Sequence, residues 1–246
     1  YLLDGKKKRK LRLDFFLKNF FKGKKEKFII QVGANVGINS DPLRKYLKNN
    51  FNGKAVIFEP LDYYFNKLEN LYKNKKNIKI LKNALSNKIE KKKIFYIEPK
   101  IAKLMGGIGP AKDWAHGQGS FSKEIIIYWI KKNKSRGKNY IKNIDKFINS
   151  IKSKTIHTKK ISFIKIPKKS RSLLIIDVQG FELEVLKGMN WKNSPDFIVY
   201  EDDLTIYNKK SNSIRKILNN KGYNYLGGKY DKIFSKKIGN MSSIFS

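Results

Sequence analysis

Short apolar runs recur along the chain, separated by polar stretches with helical spacing. Phe28-Ile29-Ile30-Gln31-Val32 reads as a buried strand running into a turn, Gly33-Ala34-Asn35-Val36-Gly37. Asp41-Pro42 follows as a helix start, with Asp in the capping position and Pro at the first helical position. Residues 55–58 form a second strand that ends in Glu59, and residues 63–74 carry Tyr64, Phe65, Leu68, Leu71 and Tyr72 at helical spacing. Residues 78–81 and 94–97 read as third and fourth strands. Further on, residues 173–178 are a strand, 180–187 a short helix, and 196–200 a strand ending in Glu201-Asp202-Asp203. Residues 213–218 are helical, and 223–226 with 232–234 form an antiparallel pair. Strands alternating with helices predict an α/β fold: a Rossmann-like, doubly wound, mostly parallel sheet with an antiparallel C-terminal strand pair.

Two regions depart from this rhythm. Residues 99–122 are rich in glycine, contain Asp113, Trp114 and His116, and read as a long irregular, lid-like segment. Residues 123–151 look helical with a charged break at 131–138, and 156–166 is strand-like. At the start, Lys6-Lys7-Lys8-Arg9-Lys10 precedes Leu11, Leu13, Phe15, Phe16, Leu17, Phe20 and Phe21. That spacing predicts a basic amphipathic helix. Its apolar face would serve either peripheral contact with a membrane or partner, or packing against the sheet edge; the second reading is preferred. The expected organisation is an N-terminal extension, 1–26, and one domain, 27–246, with an insertion near 99–155.

Composition narrows the chemistry. At 246 residues, 40% hydrophobic and 13% aromatic, the chain can bury a substantial core and is not of disordered composition. Without cysteine, disulfides, thiolate nucleophiles and Cys-ligated zinc are excluded, and with two histidines, His116 and His157, a multi-histidine metal site is not expected and no metal ligands are assigned. No apolar run reaches the length of a membrane span, and a cytoplasmic location is the expectation. The formal net charge of +35 invites an anionic partner such as nucleic acid. Lysine greatly outnumbers arginine, however, and Asn, Ile, Tyr and Phe are abundant too. AT-rich codons favour all of these, so a compositional origin of the charge is preferred over nucleic-acid binding.

The turn after the first strand reads G-x-x-x-G, with Asn35 where a dinucleotide fingerprint would place its second glycine. No bare backbone is offered to a pyrophosphate. A nucleoside ligand without one fits better, and S-adenosylmethionine is the commonest. Glu59 stands about 20 residues beyond the turn, where such folds hold ribose hydroxyls.

A second block strengthens this reading: Leu174-Ile175-Ile176-Asp177-Val178-Gln179-Gly180-Phe181-Glu182-Leu183-Glu184-Val185-Leu186-Lys187-Gly188. Together with the first block, Glu59-Pro60, Asn83-Ala84-Leu85-Ser86 and Gly119-Ser120-Phe121-Ser122, it resembles the FkbM family of S-adenosylmethionine-dependent methyltransferases over approximately residues 27–227. The resemblance implies a sheet of the class I methyltransferase type. It also implies a cofactor cradle made by Gln31, Gly33, Ala34, Asn35, Gly37, Asp41, Glu59, Pro60, Asn83, Ala84, Ser120 and Asp177. Two positions depart from the family pattern: Val36 stands where a subgroup has Asp, and Gln179 where the family has Glu.

Methyl transfer to an alcohol needs a base beside the acceptor. Asp177, His116 and Glu201 are the candidates, His116 because its ordinary pKa lies near neutrality. The leading expectation is an O-methyltransferase acting on a hydroxyl of a sugar, glycan or small metabolite. The alternatives are a nucleic-acid methyltransferase acting on a ribose hydroxyl, and a cofactor-binding relative without turnover, the latter motivated by Val36 and Gln179.

Overall fold

A computed structural model describes residues 11–37, 41–49, 51–105, 115, 118–133, 138–202 and 208–236. The central layer is a seven-stranded sheet built from β1 (Lys27–Val32), β2 (Gly53–Phe58), β3 (Ile78–Leu81), β8 (Arg171–Ile176), β9 (Phe197–Glu201), β10 (Asn224–Gly227) and β11 (Asp231–Ser235). Its order is β10-β11-β9-β8-β1-β2-β3. Contacts from β3 through β9 are parallel, and β11 runs antiparallel to both of its neighbours. The strands β1 and β8 are buried along their whole length, as expected of central parallel strands covered on both faces.

Helices cover both faces. One face packs Ile29, Ile57, Leu173 and Val199 against α1 (Leu13–Phe21), α2 (Arg44–Lys48) and α3 (Asp62–Tyr72). The other packs Ile30, Val32, Leu174 and Ile176 against α8 (Glu182–Lys187) and α9 (Asn208–Asn220). This is the doubly wound sheet expected from the alternation of strands and helices, with its antiparallel C-terminal pair.

The N-terminal helix has a definite place. Phe16, Leu17 and Phe20 are wholly buried, and Phe16 and Phe20 meet the Phe197 ring edge-on at 5.4 and 5.7 Å. Burying each such ring is worth about 2–3 kcal/mol. The helix lies over the face of the sheet rather than at its edge, and this apolar stripe is turned to the core. Among the described residues no helix is long and apolar enough to cross a membrane.

A second, four-stranded sheet has the order β4-β7-β5-β6, from β4 (Ala84–Leu85), β5 (Lys91–Tyr96), β6 (Gly119–Ser120) and β7 (Lys152–Lys159). The expected fourth strand of the main sheet is therefore β5, paired antiparallel with β7 outside that sheet. The expected strand at 156–166 is likewise displaced: β7 ends at Lys159 and a 3-10 turn follows at Ile161–Phe163. Part of the expected irregular segment is the helix α4 (Pro99–Leu104), which packs with α5 (Lys123–Lys132), α6 (Lys138–Lys142) and α7 (Ile144–Asn149) around Ile97, Met105, Ile126 and Ile130.

Candidate functional site

Sheet register lines up the site. Tyr200, Ile176, Val32, Phe58 and Leu81 are successive partners across five strands. The residues that follow in four of those strands are Glu201, Asp177, Gly33 and Glu59, so all four stand in one row at the carboxyl edge. The strand order also reverses between β1 and β8, and a crevice beyond the carboxyl ends at such a switch point is where open α/β sheets bind ligands. Asp177 follows β8, the immediate neighbour of β1, and so stands beside the glycine turn.

The turn and the acid touch directly. Asn35, in the left-handed region at φ 55°, donates its backbone N–H to Glu59 Oε2 at 3.0 Å. The Leu61 N–H donates to Glu59 Oε1 at 3.0 Å. Each carboxylate oxygen keeps a second acceptor position, which suits Glu59 to a vicinal diol. Burial pushes this carboxyl up to about 7, against the two backbone hydrogen bonds that pull it down. Next to it Val36 packs on an apolar cluster of Leu61, Tyr64 and Ala84, so the apolar residue at that position is absorbed by its surroundings.

At the other end of the row, Gln179 Nε2 donates to Asp177 Oδ1 at 2.9 Å and to Glu201 Oε2 at 2.8 Å. The two carboxyls thus share one amide nitrogen. The Asp177 charge, with burial added, pushes Glu201 well above the usual carboxylate range. Burial raises Asp177 while hydrogen bonds from Glu201 and Gln179 lower it; solvent still reaches the Asp177 side chain, which moderates the upward push. Of the two carboxyls, Glu201 is the one whose ionisation its neighbours oppose more strongly, so it takes up a shared proton before Asp177 does.

The loop bearing this pair is fixed from behind. Gln179 adopts φ 50°, and its carbonyl accepts a hydrogen bond from Ser120 Oγ at 2.9 Å. Glu182 Oε1 accepts from the N–H groups of Val178 at 3.2 Å and Gly180 at 3.1 Å. Burial pushes the Glu182 carboxyl up to about 7. Its place in sequence shows only a helix-side carboxylate; its bracing role becomes visible only when the loop folds back over it.

The remaining expected cofactor residues divide. Gln31 Nε2 donates to Asp41 Oδ1 at 3.2 Å, and the same oxygen accepts from the Leu43 N–H at 2.9 Å. Asp41 therefore closes a turn before α2, which begins at Arg44, instead of capping the helix itself. Ala34 is buried behind the turn and Pro60 separates Glu59 from Leu61. Asn83 bonds back to Leu81 at 2.9 Å, and Ala84 opens β4, where it pairs with Thr158. His116, with Asp113 and Trp114, lies outside the described residues. His157 is exposed on β7. No group of three or more His, Cys, Asp and Glu side chains suited to a metal occurs among the described residues.

Two buried acids with raised pKa values set a pH dependence. Folded Glu59 and Glu182 hold protons up to about pH 7, whereas unfolded glutamates release theirs near the ordinary value of 4.5. The native state therefore binds more protons in that window, and its stability falls as pH rises through it. Thermal melts of the free protein from pH 5 to 7.5 are expected to show a falling midpoint. A midpoint that rises across this window would contradict the assignment.

Fold and site together define a Rossmann-like domain with a glycine turn bonded to an acidic strand end at its switch point. The methyltransferase FkbM domain model matches residues 31–225, and the chain belongs to that family. Among solved structures it resembles methyltransferase FkbM from Methylobacillus flagellatus KT, with a TM-score of 0.50 and 12% identity, over 90% of this chain and 46% of that one. It thus spans about half the length of that protein. A SAM-dependent methyltransferase from Aquifex aeolicus aligns with a TM-score of 0.39 and 13% identity, over 89% of this chain and 86% of the other. No curated protein matches the chain.

Proposed function

We propose that the chain is an S-adenosylmethionine-dependent O-methyltransferase acting on a hydroxyl of a sugar, glycan or small metabolite. The observation that carries this reading is the row Glu59, Gly33, Asp177, Glu201 at the switch point, with the glycine turn bonded to Glu59. The bound cofactor would supply a methyl group on a sulfonium, which leaves as a neutral thioether when the acceptor oxygen attacks.

The chain's residues supply the rest. Glu59 accepts hydrogen bonds from the ribose hydroxyls, while Gly33, Asn35 and Gly37 shape the backbone beside the methionine moiety. Ala84 and Val36 border the adenine. Asp177 takes the proton of the acceptor hydroxyl, and Glu201 remains protonated next to it. The alcohol oxygen must be held about 3 Å from the methyl carbon, in line with the departing sulfur. The residue at 179 keeps both carboxyls in place as an amide, so the departure from the family's Glu is compatible with turnover.

The test is calorimetry with S-adenosylhomocysteine. Wild-type protein is expected to bind it, with affinity rising by up to about tenfold per pH unit as Glu59 ionises toward pH 7. Glu59→Ala is expected to weaken binding by at least about 100-fold, through loss of two charge-assisted hydrogen bonds. Failure of the wild type to bind at millimolar ligand would sink the proposal.

A further inference from the structure

A groove of about 1200 Å³ opens at the carboxyl edge of the sheet, on the side of α1 and α2. Its walls come from three distant parts of the chain: the start of α1, residues 41–49, and the turn between β10 and β11. This location ties it to the row of site residues. Asp231 is the sheet partner of Glu201, and the Asp202 N–H donates to the Tyr230 carbonyl at 2.9 Å. At the other wall, Asp41 is bonded to Gln31 of β1. The groove is thus flanked by Asp231, the sheet partner of Glu201, and by Asp41, which is bonded to β1.

Its chemistry is two-sided. The half-buried Leu13 and Pro42 give it an apolar floor, and Lys45, Lys48 and Lys229 stand exposed at its rim. Among the described residues these three lysines form no salt bridge with a carboxylate. Of the carboxylates in its walls, Asp14 pairs with Arg12 at 3.1 Å, Asp41 Oδ1 accepts from Gln31 and the Leu43 N–H while its Oδ2 is buried without a hydrogen-bond partner among the described residues, and Asp231 sits beside Glu201 in the sheet. A neutral sugar would leave the rim uncompensated, and a uniformly polar polyanion would leave the floor uncovered.

We propose that this groove anchors the methyl acceptor and selects one that carries a phosphate beside an apolar group. The assignment rests on the methyltransferase reading above and narrows its acceptor class. The phosphate sits among Lys45, Lys48 and Lys229, the apolar group covers Leu13 and Pro42, and the reacting hydroxyl reaches Asp177. The recognition is electrostatic at the rim, so it weakens with added salt.

Hexyl phosphate, hexyl glucoside and inorganic phosphate are suitable probes, titrated by calorimetry at fixed ionic strength. Hexyl phosphate is expected to bind at least tenfold more tightly than either other probe. The double variant Lys45→Glu/Lys48→Glu is expected to lose at least tenfold of that affinity. Lys91→Glu/Lys93→Glu, the same charge change on the exposed face of β5, is expected to stay within twofold. Both variants should bind S-adenosylhomocysteine as the wild type does. Equal losses in the two variants would assign the effect to bulk charge and overturn the groove. Normal S-adenosylhomocysteine binding with no preference for hexyl phosphate would overturn the groove alone. Absence of S-adenosylhomocysteine binding in the wild type would instead defeat the cofactor reading and this assignment with it.

Discussion

Replacing Asp177 by Asn is expected to lower the rate of methyl transfer by about 10²–10⁴-fold, the usual range for a positioned general base. The affinity for S-adenosylhomocysteine should stay within about threefold, because the cradle bonds run through Glu59 and the glycine turn. The loss is chemical rather than structural: Asn fills the same space and can still accept from Gln179 through its amide oxygen. Glu201→Gln is the informative companion. Glu201 is the member of the pair that takes a shared proton first, since the Asp177 charge and burial both oppose its ionisation. A neutral amide is close to that protonated form in shape and charge, so Glu201→Gln should retain activity within about tenfold. Single-turnover rates with saturating cofactor compare the two directly. If Glu201→Gln proved as damaging as Asp177→Asn, the base would be the other member of the pair or the pair as a unit.

The row at the carboxyl edge was readable in the chain because each member ends or follows an unambiguous apolar run. Glu59 and Glu201 close strands that parallel burial makes almost purely apolar, and Gly33 and Asp177 follow two more. Lateral order was not readable. Local alternation specifies that β1 and β8 are strands, but their adjacency is a long-range pairing, and only that pairing sets Asp177 beside Gly33. The same limit displaced β5, whose sequence has the look of any half-buried strand. Asp41-Pro42 carries a strong helix-start signal, yet the bond from Gln31 on β1 claims one oxygen of Asp41 and shifts the start of α2 to Arg44. Glu182 depends on a loop that folds back, and the groove depends on three separate segments meeting. Both are products of tertiary packing with no periodic trace in the sequence.

Gly33→Ala should be among the most destabilising single substitutions in the chain, by roughly 3–5 kcal/mol. Gly33 has φ +81°, a conformation that costs an L-residue about 1–2 kcal/mol. The added methyl would also lie 1.8 Å from the Asp177 carbonyl oxygen and 2.9 Å from its carbon. Those are backbone atoms, so no side chain can swing aside. Relief requires β1 and β8 to part where the Asp177 N–H donates to the Val32 carbonyl at 3.0 Å. The same movement would pull the Gly33 N–H from the Phe58 carbonyl, 3.0 Å away on β2. Domains of this size are stable by about 5–15 kcal/mol, so a large part of the margin is at stake. Gly23→Ala isolates the conformational part: Gly23 has φ +86°, with no atom of the described residues within 4 Å of the site where a Cβ would stand. Urea denaturation of the two variants should therefore separate them by about 2 kcal/mol or more, the excess measuring the steric contact between the tips of β1 and β8. Equal losses would mean that those tips yield easily, and a yielding pair could not hold Asp177 at a fixed distance from a methyl group resting on the glycine turn.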